Sequence, residues 1–305
     1  MKDYLNEIND KFPIRRKKDE KAKFADYVKS ELGDDRVKTE TLEKDNNNII
    51  IGNPESARVV ITAHYDTPAA SVVPNVMFPA NRAGIIVNLL FPVLYALFSF
   101  TLAYTVCNLL DWDGKIAALI YLVVYLGGFY CMTRLFSNKH NKNDNTSGVA
   151  TVMTLAKRID DERVAFILFD NEELGLVGSK AYNKAHSDVM KDKLLINLDC
   201  VGNGDQVILM AKERATKTAE YQHLHKAFCV EDDNFTIHHI PFRKASSNSD
   251  HKSFLSSVGI TAASRGHIAK FVTGRIHTSR DTVADSKNIF FLSDRLSEFL
   301  ENIEG

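Results

Sequence analysis

Two kinds of hydrophobic run divide this chain. The short ones, residues 59–63, 164–169 and 194–198, are apolar over five or six positions and lead into polar segments. That length and density fit strands buried on both faces of a sheet. Residues 146–159 instead place Val149, Val152, Met153 and Ala156 on one face at helical spacing. Segments 17–32, 216–229, 250–257 and 289–303 also read as helices. The alternation predicts an α/β domain with a mostly parallel sheet, free of internal repeats and low-complexity linkers.

The long runs differ in kind. Residues 83–110 carry no charged side chain, and residues 116–133 add a second uncharged stretch. At about 1.5 Å per residue both can cross a hydrocarbon core of roughly 30 Å. Between them lies a polar turn, Asp111 to Lys115, with Trp112 inside it. The pair predicts a transmembrane helical hairpin, with Pro92 kinking the first helix or marking where its regular part begins. A buried core hairpin or lid is the alternative, but 28 uncharged residues exceed what a globular helix needs. Arg82 precedes the hairpin and Arg134, Lys139 and Lys142 follow it, whereas the tip holds two Asp and one Lys. The positive-inside rule therefore places both flanks in the cytoplasm. On this reading residues 1–75 and 137–305 form the catalytic domain, and residues 76–136 an inserted hairpin with helices at about 83–110 and 116–133.

Composition narrows the classes further. A formal net charge of −1 argues against a nucleic-acid partner. The first thirty residues are charged and lack an apolar core, so no signal peptide is expected. Four cysteines without C-x-x-C spacing, two of them (Cys107 and Cys131) in apolar stretches, favour a reducing compartment over a disulfide framework.

Candidate chemistry gathers at the predicted strand exits, where open α/β sheets place their sites. His64 and Asp66 follow the first strand, Glu172 and Glu173 the second, and Asp199 ends the third. Asp144 precedes the helix that Ser147 and Gly148 start, while His277 and Asp281 share a loop. Two imidazoles and several carboxylates can hold a pair of divalent cations, and a glutamate beside a ligand can serve as the base that activates water. Asp66 is placed to fix the tautomer of His64, and Asp281 to orient His277. Each motif alone is an ordinary turn, cap or solvated helix face. Five together point to a hydrolase.

The motifs His64-Tyr65-Asp66-Thr67, Asp144 to Gly148, Phe169 to Leu176 with Gly178 and Ser179, Asn197 to Asp199, and His277 to Asp281 resemble those of the two-zinc aminopeptidase S and aminopeptidase Y family. The resemblance covers the chain outside the hairpin. It implies a mixed, mainly parallel central sheet flanked by helices, two Zn2+ ions, and a peptide substrate with a free N-terminus. It also implies that His64, Asp144, Glu173, Asp199 and His277 are metal ligands, with Asp144 bridging. Glu172 is then the general base, Asp66 a second catalytic residue, and Asp281 a support behind the ligands. Soluble relatives join the first motif to the bridging aspartate by a short loop, whereas 77 residues separate Asp66 from Asp144 here. Both ends of that insertion run into ligand-bearing segments. An integral membrane enzyme is therefore expected, its cytoplasmic catalytic domain held against the lipid bilayer and acting on hydrophobic or membrane-derived peptides.

Rival readings on the same fold are carboxypeptidase or N-acyl amino acid hydrolase, single-zinc glutaminyl cyclase, and a metal-free scaffold. A complete ligand set with Glu172 in place weighs against the last two. Elsewhere, Arg15 to Lys18 read as a solvated helix start, with anionic headgroups as a lesser partner. Ser249 and Asp250 read as a helix cap, His238 and His239 as surface or loop residues, and Cys200 as a small core residue.

Overall fold

The structure is a computed structural model that describes residues 2–43, 46–73, 75–81, 83–267 and 269–303. Among these, ten strands form one sheet: β1 (Val37–Leu42), β2 (Asn46–Ile51), β3 (Val59–His64), β4 (Val76–Met77), β5 (Val164–Phe169), β6 (Leu194–Leu198), β7 (Gln206–Ala211), β8 (Thr236–Pro241), β9 (Ser257–Arg265) and β10 (Phe271–Gly274). The order is β1-β2-β5-β3-β6-β9-β10-β4, with β7 branching from β9 and carrying β8. The central strands β5, β3, β6 and β9 are parallel. Their flanking partners β2, β7 and β10 run antiparallel to them. The sheet is therefore mixed with a parallel centre.

The helices among the described residues are α1 (Tyr4–Lys11), α2 (Lys18–Leu32), α3 (Ala83–Leu109), α4 (Gly114–Leu122), α5 (Gly128–Thr133), α6 (Gly148–Arg158), α7 (Val177–Ala185), α8 (Ser187–Met190), α9 (Ala219–Ala227) and α10 (Ser286–Glu301). Every residue of β3, β5 and β6 is buried, which explains their largely apolar runs; Thr62 of β3 donates to Asn197 Oδ1 of β6 at 2.8 Å. Alternate side chains serve two layers. Ile61, Phe166 and Ile196 join the core under α1, α2, α6, α9 and α10, while Val60, Ile167 and Leu195 face Tyr182 of α7 and Met190 of α8.

One predicted helix is absent. Residues 250–257 make a single turn, Asp250–Ser253, and Ser257 already opens β9, where it pairs with Leu195. Sheet pairing takes the chain before a second helical turn can form. The predicted helix at 216–229 is shorter, running from Ala219 to Ala227 behind a Thr218 side-chain cap.

The hairpin leaves this body between β4 and α6. Its two apolar spans, Ile86–Leu109 and Gly114–Thr133, are 24 and 20 residues long, enough to cross a membrane by length and composition. Among the described residues of these two spans, Ser99, Ala103 and Cys107, spaced by four, are the buried ones, a small-residue seam that lets the helices approach. Tyr95 donates to the carbonyl of Val124 at 2.7 Å, inside a π-helical turn (Val123–Gly127) that joins α4 to α5. Leu94, Leu97, Phe98, Leu119 and Leu126 are exposed. Arg82, used above for orientation, lies outside the described residues.

Candidate metal centre

Strand pairing brings the candidate residues together. β3 lies between β5 and β6, so His64 at its end sits beside the Glu172 loop and the Asp199 loop. Asp144 enters from the turn before α6, and His277 from the loop after β10.

Asp144 stands in the middle. Its Oδ1 is 3.3 Å from His64 Nε2 and its Oδ2 is 2.9 Å from His277 Nε2. His64 Nε2 lies 3.8 Å from Asp199 Oδ1, and His277 Nε2 lies 3.3 Å from Glu173 Oε1. The donor atoms fall into two trios that share Asp144, one with His64 and Asp199, the other with Glu173 and His277. Glu172 reaches the same centre, grouped with His64 and Glu173. Glu173 Oε1 and Asp199 Oδ1 are buried without a hydrogen-bond donor. Oxygens of this kind beside neutral imidazoles are the donor set that zinc takes.

Carboxylates packed so closely cannot all hold their charge in a protein interior. Burial drives Glu172 well above the usual carboxylate range and Glu173 up to about 8. Burial also opposes charging of His277, yet Glu173 and Asp144 raise it to about 10. Asp144 is held low against its own burial by the His277 and His64 rings. A divalent cation would offset the crowded charge and let each carboxylate stay ionised.

The two supporting aspartates do different work. Asp66, read above as the partner of His64, lies beside it: His64 Nδ1 is 3.5 Å from its carboxylate and 3.2 Å from its carbonyl oxygen. The carboxylate also accepts the N–H groups of Glu172 (3.0 Å) and Glu173 (3.2 Å), so Asp66 positions both glutamates as well. Asp281 was expected to orient His277. Its oxygens accept the N–H groups of Asn143 (3.0 Å) and Asp144 (2.9 Å), so it fixes the shared aspartate. His277 Nδ1 is met by Asn75 Nδ2 at 3.3 Å.

The residues around Asp144 explain their own motif. Asn143 Oδ1 accepts from Gly202 N–H, Asn145 Nδ2 donates to the Leu198 carbonyl, and Ser147 Oγ accepts from Val201 N–H. These side chains clamp the Asp199 loop and leave Asp144 free to face the centre. A Cβ at Gly148 would meet the Leu198 carbonyl at 2.5 Å, so glycine is required there. Three loops also store backbone strain beside the site. Asn171 before Glu172, Cys200 after Asp199, and His277 itself have φ of 55°, 55° and 58°.

Other residues take roles the sequence did not suggest. Arg15 is not a solvated helix start: it is fully buried, and its guanidinium donates to the Tyr65 carbonyl (2.5 Å) and to Thr146 Oγ1 (3.1 Å). Lys21 pairs with buried Asp170 at 2.6 Å and donates to Asn171 Oδ1 at 2.6 Å, fixing the exit of β5. Ser249 makes no cap hydrogen bond and accepts instead from Asn197 Nδ2, while Asp250 is buried close enough to repel Glu172. Burial pushes Asp250 up to about 7. His238 and His239 are half-buried on β8, and Cys200 is buried as expected.

The hairpin reaches the centre from both ends. Asn88 of α3 donates to Asn75 Oδ1 at 3.2 Å, linking the first helix to His277 through one side chain. Arg134, just past α5, donates to the backbone carbonyl of Glu173 at 3.0 Å. A cavity of about 440 Å³ opens on the centre, with Phe78, Leu174, Ser247, Asn248 and Ile276 among its walls. A second, about 290 Å³, runs from Glu173 and His277 to Pro92, Phe129 and Thr133 of the hairpin.

Solved structures share this fold. A Zn-dependent exopeptidase of Parabacteroides distasonis aligns with TM-score 0.62 at 16% identity, over 98% of this chain and 96% of that one. The glutaminyl cyclase of Porphyromonas gingivalis aligns with TM-score 0.59 at 15% identity, over 98% and 95%. The LapA aminopeptidase of Legionella pneumophila aligns with TM-score 0.54 at 16% identity, over 97% and 69%. No curated protein matches the sequence. The sequence profile of peptidase family M28 matches residues 138–290, half of the chain, including Asp144, Glu172, Glu173, Asp199 and His277. The chain belongs to peptidase family M28.

Proposed function

We propose that this protein is a membrane-anchored two-zinc aminopeptidase that removes N-terminal residues from peptides at the cytoplasmic face of a bilayer. One observation carries the reading: the two oxygens of Asp144 face His64 on one side and His277 on the other, so that this carboxylate would be shared if each imidazole held a cation. His64 and Asp199 complete one ligand trio, Glu173 and His277 the other. The zinc pair, when bound, supplies a lowered pKa for water and positive charge for the developing oxyanion.

Glu172 handles the proton. As a carboxylate it takes one from the attacking water, and it then returns it to the leaving amine. Burial and the neighbouring carboxylates favour its protonated form, which suits the second step. Asp66 holds the Glu172 amide, and Asp281 holds the Asp144 amide, so neither group has to search for its position.

Residues 1–75 and 137–305 make the catalytic domain, and residues 76–136 the anchor. The apolar outer face of the hairpin and its contacts with Asn75 and with the Glu173 backbone support a site at the membrane surface. The cavity between the hairpin and His277 supports substrates that are hydrophobic or released from the membrane.

The likeness to a glutaminyl cyclase favours a second reading, in which the same groups cyclise an N-terminal glutamine. Product analysis separates the two. Peptides with a free N-terminus should lose their first residue, and N-acetylated versions should be left intact. Equal cleavage of blocked peptides would exclude the aminopeptidase, and ammonia release with pyroglutamyl product would establish the cyclase.

A further inference from the structure

A second convergence of metal-binding side chains lies on the β7–β8 arm of the sheet, outside the cavity over the catalytic centre. His225 is in the last turn of α9 and Cys229 follows four residues later, just beyond the helix end. Cys229 N–H donates to the Lys226 carbonyl at 3.1 Å, which turns the cysteine back toward the helix. His239 stands on β8 and closes the group from the sheet side.

Cys229 Sγ is 3.3 Å from His225 Nδ1 and 3.9 Å from His239 Nε2. With Zn–S near 2.3 Å and Zn–N near 2.05 Å, tetrahedral angles put a sulfur and a nitrogen ligand about 3.6 Å apart. The two observed distances bracket that value. The His225 and His239 rings lie 4.2 Å apart, centroid to centroid, at 35°. The three donor atoms lie within 4.8 Å of one another.

We propose that His225, Cys229 and His239 form a further metal site, a thiolate and two imidazoles that take zinc or another thiophilic cation. The exposed face at Cys229 leaves a fourth position open to water. Thiolate with imidazole selects borderline and soft cations over magnesium or calcium. Glu231, Asp232 and Asp233 follow Cys229 after Val230 and add negative charge along the chain. Ligands from a helix end and from a strand make the ion a cross-link that pins α9 to the sheet. The site is independent of the aminopeptidase reading, because none of its three residues lines the catalytic cavity.

Cobalt substitution in the full chain, held in detergent or nanodiscs, tests this. Cobalt bound to thiolate gives a near-ultraviolet charge-transfer band, and no ligand assigned to the catalytic centre carries sulfur. The band should be present in the wild type and absent from Cys229→Ser, whose metal content should fall by about one equivalent while peptide hydrolysis persists. His239→Ala should lower the metal content at this site and weaken the band in proportion. Cys200 stands beside Asp199, so Cys200→Ser is the control. The proposal is overturned by a wild type without the band, by a band that survives in Cys229→Ser, or by one that disappears in Cys200→Ser.

Discussion

Around Asp144, polar side chains are buried and tied to backbone: Asn143, Asn145 and Ser147 clamp the Asp199 loop, Asp66 holds two glutamates, and Asp281 holds Asp144. In the hairpin, leucines and phenylalanines face outward and the small residues Ser99, Ala103 and Cys107 lie inside. The first region resists change because removing one partner strands another buried polar group, at about 1–3 kcal/mol each. On the membrane reading proposed above, the second would tolerate apolar exchange but not charge. Asn75 and Asn88 join the two regions, which makes the insertion part of the site's support.

Metal removal should break the contrast most severely. A chelator should abolish peptidase activity, and the metal-free protein should lose stability as pH rises. The sign follows from three groups. Glu173, raised from 4.5 to about 8, and Glu172, also raised, contribute most when protonated, and that contribution fades as pH climbs through their folded values. His277, raised from 6.5 to about 10, contributes fully below 6.5 and loses this as pH climbs toward 10. Thermal melts from pH 5 to 9 should therefore fall in the metal-free protein and stay nearly level with zinc bound. A metal-free melt that rises with pH would contradict this charge balance.

Asp66→Ala comes next. It strands the N–H groups of Glu172 and Glu173 and should weaken zinc binding by roughly 10- to 100-fold. Competition with a chromophoric chelator measures it, and unchanged affinity would mean the glutamates need no such support. On the other side of the contrast, Leu97→Arg places a charge on the exposed hairpin face and should cost roughly 2.5–3.5 kcal/mol of membrane insertion. Carbonate extraction should then release more of the variant than of the wild type. Equal extraction, or release of the wild type itself, would make the hairpin a lid or an interface.

The smallest effect is expected at the junction. Asn75→Ala should weaken zinc binding by about tenfold through His277, and Asn88→Ala by less, since it acts through Asn75. If Asn88→Ala has the larger effect, the hairpin supports the centre by another route.

The sequence disclosed what depended on local pattern. β3, β5 and β6 were readable because burial on both faces leaves mostly apolar residues, with Thr62, His64 and Asn197 the exceptions. β2 was not, because it opens with Asn46, Asn47 and Asn48, which look like a loop yet serve the β5 exit: Asn48 accepts from the Asp170 N–H. The metal-binding residue types were visible in their motifs, but their supports were not. Asp281 sits four residues from His277 and was read as its partner, whereas it holds amides 137 and 138 residues away. Arg15 lay in a basic run that resembled solvated surface, and only the packing of Tyr65 and Thr146 over it makes it internal. Proximity along the chain says little about which buried acceptor a distant amide will find.

The most direct test of the central claim is Glu172→Gln in the full chain, assayed for zinc content and turnover on a peptide with a free N-terminus. If Glu172 moves the proton and the other five residues hold the cations, metal content should be unchanged while kcat falls by roughly 100- to 10,000-fold. Zinc lost from the variant, with the remaining activity proportional to the zinc that is left, would make Glu172 a ligand and contradict the assignment.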